Sequence, residues 1–520
     1  MTDIWAANAP PLVTARRDRY DADVVIIGSG AGGATTAWAL AGSGARVLVL
    51  ERGGFLPREP ENWSPQAVFG EQLYHNAEPW RTPRGKRFVS AAHYYVGGTT
   101  KVYGASLPRL RESDFGAVEH YEGTSPAWPF GYAELEPFYA EAERLYRVHG
   151  HQHGAERPGD PTAPPRSGPF PHPPVEHEPY VADLERRLRR QGLHPFPLEL
   201  GIDLAPGRSC LRCGTCDGFP CRVGAKSDAE TRALRPALRR GNVRLLTHTR
   251  VTRLDTDRAG RAVTTVHALR EGRPVTVTAG RVVLSAGAIN SAALMLRSAN
   301  EQYPDGLANG SGLVGRNLML HNSSVVVAVD PRRRNPVTFQ KTLAVNDYYH
   351  SGPSGRYPLG NLQLMGKVRP EMLPGACPHG LRAGLTAHSL DWWVMSEDLP
   401  DPDNRVTLAP DGQIVLRREP TNRRAHRELL RAARRMLHRA GYPLVLAHRM
   451  GIDATGHQCG TTVAGLDEAR SVLDPLCRSH QLRNLYVVDG GFFPSSAAVN
   501  PTLTIAAQAL RAARLGGLLD

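Results

Sequence analysis

The chain has 520 residues, of which 41% are apolar and 22% charged, an ordinary balance for a soluble globular protein. At 56.7 kDa it exceeds what one hydrophobic core usually organises, so two domains are expected. No apolar run reaches the ~18 residues needed to cross a bilayer, and residues 1–20 lack the charged-then-apolar layout of a secretion signal. A membrane protein, a secreted disulfide scaffold and a disordered tail are thereby excluded, and a cytoplasmic location is expected.

Basic residues outnumber acidic ones 63 to 50, and Lys occurs only at Lys86, Lys101, Lys226, Lys341 and Lys367. The arginines are scattered, with 332–334 the longest run. That distribution reads as a solvated surface rather than the clustered cations that phosphate contacts need, so no nucleic-acid partner is expected.

In chain order, residues 23–27 (Asp-Val-Val-Ile-Ile) form the apolar run of a parallel strand buried on both faces. Gly28-Ser-Gly30-Ala-Gly32-Gly33 follows, then a helix over 34–40 and a second strand over 46–50 that ends at Glu51. Gly28 permits the tight turn, Gly30 admits a pyrophosphate to the backbone, and Gly33 lets helix and strand pack. The helix start offers N–H groups and partial positive charge, and Glu51 stands where a carboxylate would bind ribose hydroxyls. The fingerprint alone does not separate NAD from FAD; Arg52-Gly53-Gly54 is a hint toward a flavin.

Apolar spacing predicts a helix over 132–146, and Pro, Gly and His predict an irregular linker over 154–179. Strands are predicted over 243–246, 263–269 and 275–283. A later helix over 427–440 should end at Gly441, where a left-handed cap is wanted. Cys210, Cys213, Cys216 and Cys221 have the density of a metal or iron–sulfur site. Their last interval departs from the ferredoxin run, however, and a second Cys-x2-Cys knuckle is absent. The favoured reading is a thiol-rich, in part disulfide-bonded, loop with no metal.

Residues 95–104 (Tyr-Val-Gly-Gly-Thr-Thr-Lys-Val-Tyr-Gly), 283–291 (Val-Leu-Ser-Ala-Gly-Ala-Ile-Asn-Ser) and the C-terminal block from His457-Gln-Cys-Gly-Thr461 through Asn500-Pro-Thr-Leu-Thr504 resemble the glucose–methanol–choline (GMC) flavoprotein oxidoreductases. Val314-Gly-Arg-Asn317 and 484–489 add to the likeness, and these segments span nearly the whole chain in the family's order. The text is most similar to bacterial members acting on sugars, glycosides and aminoglycosides.

The resemblance implies an α/β fold with a Rossmann-like FAD-binding domain assembled from 21–120, 210–320 and 455–520. An inserted mixed-sheet substrate domain with its linker would occupy 121–209 and 321–454. It places Gly28, Gly30, Gly33 and Glu51 on the adenosine half of FAD, and Gly97, Gly98 and Thr99 beside the isoalloxazine. Val251 would meet the adenine through its backbone, Ala286 and Gly287 the dinucleotide, and Asp489 and Gly490 the ribityl–pyrophosphate stretch. Residues 99–103 contain no His, so the covalent flavin link of some relatives is not expected.

His457 and Asn500 match the family's catalytic pair. An alcohol is a very weak acid, so a base must take its proton while hydride leaves for flavin N5. Neutral His457 suits that role, and the Asn500 amide can hold the developing alkoxide without competing for the proton. Asn500 and Pro501 also read as N-cap and first residue of a helix from Thr502, its positive end toward the flavin pyrimidine. Where relatives carry an Arg after the Gly-Thr pair, this chain has Val463 and Ala464. His321 reads as structural; His388, Trp392 and Trp393 read as either core or a sugar-stacking wall.

The expected activity is oxidation of a primary or secondary hydroxyl of a polyhydroxylated small molecule. Oxygen or another acceptor would reoxidise the flavin. A pyridine-nucleotide oxidoreductase and a non-catalytic electron carrier built on the cysteine cluster are the alternatives.

Overall fold

The computed structural model describes residues 17–152, 159–205, 210–373, 377–453 and 456–519; positions 154–158 of the expected linker and 206–209 before the cysteine cluster lie outside them. Strand β1 (Arg19–Ile27) is continuously buried from Val24 onward, as its unbroken apolar run requires. It lies parallel to β2 (Val47–Leu50) on one side and to Arg273–Leu284 on the other. Val243–Leu246 extends the sheet beyond β2, and Leu485–Val487 pairs with the end of Arg273–Leu284, both parallel. The first half of that long strand instead carries antiparallel Val263–Arg270, followed by Thr249–Thr256.

Helix α1 (Ala31–Ala39) packs on this sheet and on the C-terminal helix Thr502–Leu515. The latter in turn holds Tyr132–Leu145. Although that helix falls within the stretch expected in the second unit, its Leu135, Tyr139 and Ala142 are buried in the first core.

A second sheet runs Leu444–Arg449, Asn322–Val329, Ser389–Ser396, Asn361–Leu364, Leu343–Val345, Phe196–Pro197. Each pairing is antiparallel, where a mixed sheet was expected. Antiparallel strands can present two chemically different faces. One face buries Val326, Leu362 and Trp392 against helices Pro179–Arg189 and Arg423–Arg439. The helix Arg423–Arg439 turns Arg427, Arg431, Arg434 and Arg435 to solvent, so these arginines share one outer surface. It ends at Gly441 with φ +95°, and Tyr442 N–H reaches back to Leu437 O at 3.1 Å, a left-handed helix stop.

Candidate active site

The fingerprint residues gather at one end of the parallel strands. Gly28 follows β1, Glu51 follows β2, Ala286 and Gly287 follow Arg273–Leu284, and Asp489 and Gly490 follow Leu485–Val487. In a sheet of this kind that end is where a dinucleotide binds. Gly28 has φ +95°, and a Cβ there would meet Ser285 O at 2.3 Å. At Gly33 a Cβ would meet Gly28 O at 2.1 Å, so both glycines are required by the protein's own packing. At Gly30, by contrast, a Cβ would meet no protein atom within 4 Å. Gly30 opens α1, and no side chain caps that helix start. An open, uncapped, Cβ-free helix start fits a pyrophosphate.

Gly98 lies over the same spot, its Cβ position 3.1 Å from Gly30 Cα, and Gly456 places a Cβ position 3.8 Å from Thr99 Cγ2. Thus the turn at Gly97–Thr99 links the Gly30 end of the cleft to the segment carrying His457. Ser29 ties these parts together. Its Oγ accepts from Gly97 N at 3.0 Å and donates to Glu51 Oε2 at 2.6 Å. Glu51 also accepts from Ser29 N and Gly53 N, at 3.0 and 2.9 Å. The expected ribose ligand therefore spends much of its acceptor capacity on its own loop, and burial pushes its carboxyl up. Asp489 likewise accepts from Gly287 N, Gly491 N and Ser291 Oγ. Val251 sits at a bulge, where its strand's register shifts between Val251 and Arg253.

His457 and Asn500, 43 positions apart, converge with Nε2 and Nδ2 3.4 Å apart. Burial holds the His457 imidazole well below its usual range; His321 and then Lys341 add to the shift. The C-terminal helix begins differently from expectation. Its N-cap is Pro501, and Asn500 precedes the cap. The Asn500 side chain is turned away from the helix into the cleft, where Oδ1 accepts from Gln363 Nε2 at 3.2 Å. Pro501 O receives the first helical bond, from Ile505 N at 3.0 Å, so the helix needs no side-chain cap from Asn500.

Three neighbours escape a reading of the sequence. His321 places Nδ1 3.0 Å from His457 Nδ1; a lone histidine in an apolar run gave no sign of this. Gln363 reaches Asn500 from the second sheet, and Ser106 Oγ donates to Gln363 Oε1 at 3.0 Å. Lys341, buried and bonded to the Asp217 carboxylate, is a cation whose charge reaches His457, where Val463 and Ala464 offer none. Its signal was rarity, as one of five lysines.

The aromatic wall is divided by the strand's pleat. Trp393 lies 6.2 Å from the His457 ring, centroid to centroid, while Trp392 points into the opposite core. His388 bonds Asp330 O instead. The four clustered cysteines are free thiols, and among the described residues no three His, Cys, Asp or Glu side chains form a metal-binding group. Burial pushes the Cys210 thiol up to about 11 and Cys216 to about 12. Their loop is a strap: Gly218 N bonds Val102 O at 2.8 Å, and Asp217 accepts from Lys341 and Gly366 N.

The sequence matches the GMC oxidoreductase family over residues 22–323 and 400–509. The chain belongs to that family. It is 34% identical to paromamine 6′-oxidase of Streptomyces fradiae, over 98% of this chain and 95% of the relative. To 6‴-hydroxyparomomycin C oxidase of Streptomyces lividus it is 33% identical, with the same coverage. To 2-methyl-1,2-propanediol dehydrogenase of Mycolicibacterium austroafricanum it is 30% identical over 94% of each chain. The crystal structure of pyridoxine 4-oxidase from Mesorbium loti superposes with a TM-score of 0.67 at 21% identity, covering 95% of this chain and 98% of that one. This GMC enzyme is an FAD-dependent oxidoreductase acting on CH–OH groups. Among the described residues no helix is long and apolar enough to cross a membrane.

Proposed function

We propose that this enzyme oxidises a hydroxyl of a sugar, glycoside or aminoglycoside-type natural product to an aldehyde or ketone, in the cytoplasm. The observation that carries the reading is the meeting of His457 Nε2 and Asn500 Nδ2 next to the glycine-lined cleft. The aminoglycoside oxidases among the relatives support the substrate class.

Gly28, Gly30, Gly33 and the start of α1 would hold the FAD pyrophosphate, with Glu51 and the Val251 backbone on the adenosine side. Ala286, Gly287, Asp489 and Gly490 would line its middle. Gly97, Gly98 and Thr99 would lie against the ring, and Asn500, Pro501 and Thr502 at its pyrimidine end. Bound non-covalently, FAD supplies a two-electron acceptor for hydride. His457 takes the hydroxyl proton on Nε2, and Asn500 donates to the oxygen as negative charge grows on it. Burial keeps His457 uncharged, and the charge of Lys341 adds a smaller push in the same direction. Trp393 offers an aromatic face to the apolar side of a pyranose.

The test is anaerobic bleaching of the yellow holoenzyme by a panel of sugars, glycosides and aminoglycosides, followed by admission of air. Bleaching by paromamine or a related amino sugar is expected, with colour restored by oxygen or by an added acceptor. A flavin bleached by none of the panel would overturn the substrate class. Acid precipitation should leave a colourless pellet and a yellow supernatant; a yellow pellet would show a covalent link.

A further inference from the structure

Hydrogen bonds between side chains have direction, and a backbone carbonyl can only accept. Ser496 O is such a fixed point, 2.9 Å from His321 Nε2. His321 is fully buried, and burial holds its imidazole below the usual range despite the nearby carboxylates of Asp398 and Glu397. A neutral His321 facing that carbonyl carries its one proton on Nε2, leaving Nδ1 as an acceptor. His457 Nδ1 faces that acceptor at 3.0 Å and must donate to it. Its own Nε2 is then bare. The same polarity runs on: Asn500 Nδ2 donates to His457 Nε2, Gln363 Nε2 to Asn500 Oδ1, and Ser106 Oγ to Gln363 Oε1. Reversing any one bond sets donor against donor or acceptor against acceptor further along the chain.

His321 also sits in an unusual backbone state, φ +61°. Left-handed residues other than glycine persist where surrounding contacts hold them. Here Arg418 donates to His321 O at 3.0 Å while clamped on Asp398, and Asp398 also accepts from Leu320 N at 3.1 Å. The fold holds this ring against His457 from both sides.

We propose that His321 is a positioning residue that fixes the tautomer of His457, relaying the polarity of the Ser496 carbonyl so that the Nε2 lone pair faces Asn500 and the substrate hydroxyl. The proposal rests on the assignment of His457 as the base. In the reaction the O–H proton moves to His457 Nε2, the C–H electron pair and hydrogen leave as hydride to FAD, and the carbon–oxygen double bond forms. His457 keeps its Nδ1 proton bonded to His321 throughout, so the cation it becomes is stabilised where it forms. Without the relay, His457 could place its proton on Nε2 and could not accept another there.

The experiment uses the FAD-bound enzyme and two substitutions. Gln at 321 can accept from His457 with its oxygen and donate to Ser496 O with its amide; Leu can do neither. Anaerobic flavin reduction is followed with paromamine, or with 2-methyl-1,2-propanediol if paromamine does not bleach. His321→Leu should lower the limiting rate by about 100-fold, within the range for losing general-base catalysis, with little change in half-saturating concentration. His321→Gln should stay within roughly 5-fold of wild type, since the relay survives. Long-range 15N–1H spectra of histidine-labelled wild type, assigned with His457→Ala, should show His457 protonated on Nδ1 and bare at Nε2. This last measurement needs no substrate.

Wild-type rates in His321→Leu, an equal loss in His321→Gln and His321→Leu, or a proton found on His457 Nε2 would each overturn the relay. A fast His457→Ala enzyme would instead remove the base itself, leaving the two failures distinguishable.

Discussion

Neighbouring glycines in one loop have different reasons to be glycine. Gly28 is required by the chain: its φ is +95° and a Cβ would strike Ser285 O. Gly28→Ala should therefore destabilise the apoprotein by on the order of 1–3 kcal/mol, read as a lower Tm. Gly30 is not required in that way, because its Cβ would enter open space. Gly30→Ala should leave the apoprotein Tm unchanged and weaken FAD binding, measured by fluorescence titration; unchanged affinity would move the pyrophosphate elsewhere. Asn500 is a similar case. Lying outside the cap, it can be replaced by Ala with under ~1 kcal/mol lost from the helix, while flavin reduction slows by about 10²–10³-fold. The His457 imidazole, held well below its usual range, stays neutral as pH falls through 6.5, so the acidic limb of the reduction rate should lie well below that pH. A limb at or above 6.5 would contradict its burial.

At the scale of elements, the strand–turn–helix–strand unit at residues 19–51 was legible because its signals are local: an apolar run, spaced glycines, a terminal carboxylate. The strand Thr249–Thr256 carries no strand signal in its sequence, since Thr-Arg-Val-Thr-Arg-Leu-Asp-Thr has no buried run and pairs only as an outer strand of the sheet. The cysteine segment shows the opposite difficulty, a conspicuous pattern whose structural work is done by the residue between. Asp217 holds Lys341 and Gly366 across the strap. Asp217→Asn would leave a buried ammonium without its counter-charge, and should cost about 3–5 kcal/mol. Adding Lys341→Gln should recover part of that stability in thermal melts. Iron and zinc analysis of the purified protein should show neither at stoichiometric amounts.

Across the whole molecule, several histidines are buried neutral. Burial lowers His93 to about 4 and His426 to about 3, and it pulls His321 and His457 down as well. The unfolded chain takes up protons on these groups near pH 6.5, whereas the folded chain resists. Stability is thus fully present above 6.5 and is lost as pH falls through the folded values. The Tm should drop steadily between pH 7 and about 4.5, beyond what carboxylate titration alone produces; His426→Gln, which can keep a bond to Ser324 or Ser396, should flatten part of that slope.

From the sequence alone came the dinucleotide fold, the family, the use of FAD and the two residues that meet in the cleft. Each is written in short motifs whose spacing must be kept for backbone turns and helix starts to form. Tertiary structure alone decided what surrounds that pair. His321, Gln363, Lys341 and Trp393 come from three strands or their flanks and one connecting segment, far apart in the chain. His321, Gln363 and Lys341 are not marked by their neighbours, and Trp393 is marked only as one of three candidates for an aromatic wall, because pairing across a sheet and burial against a second domain are properties of distance in space.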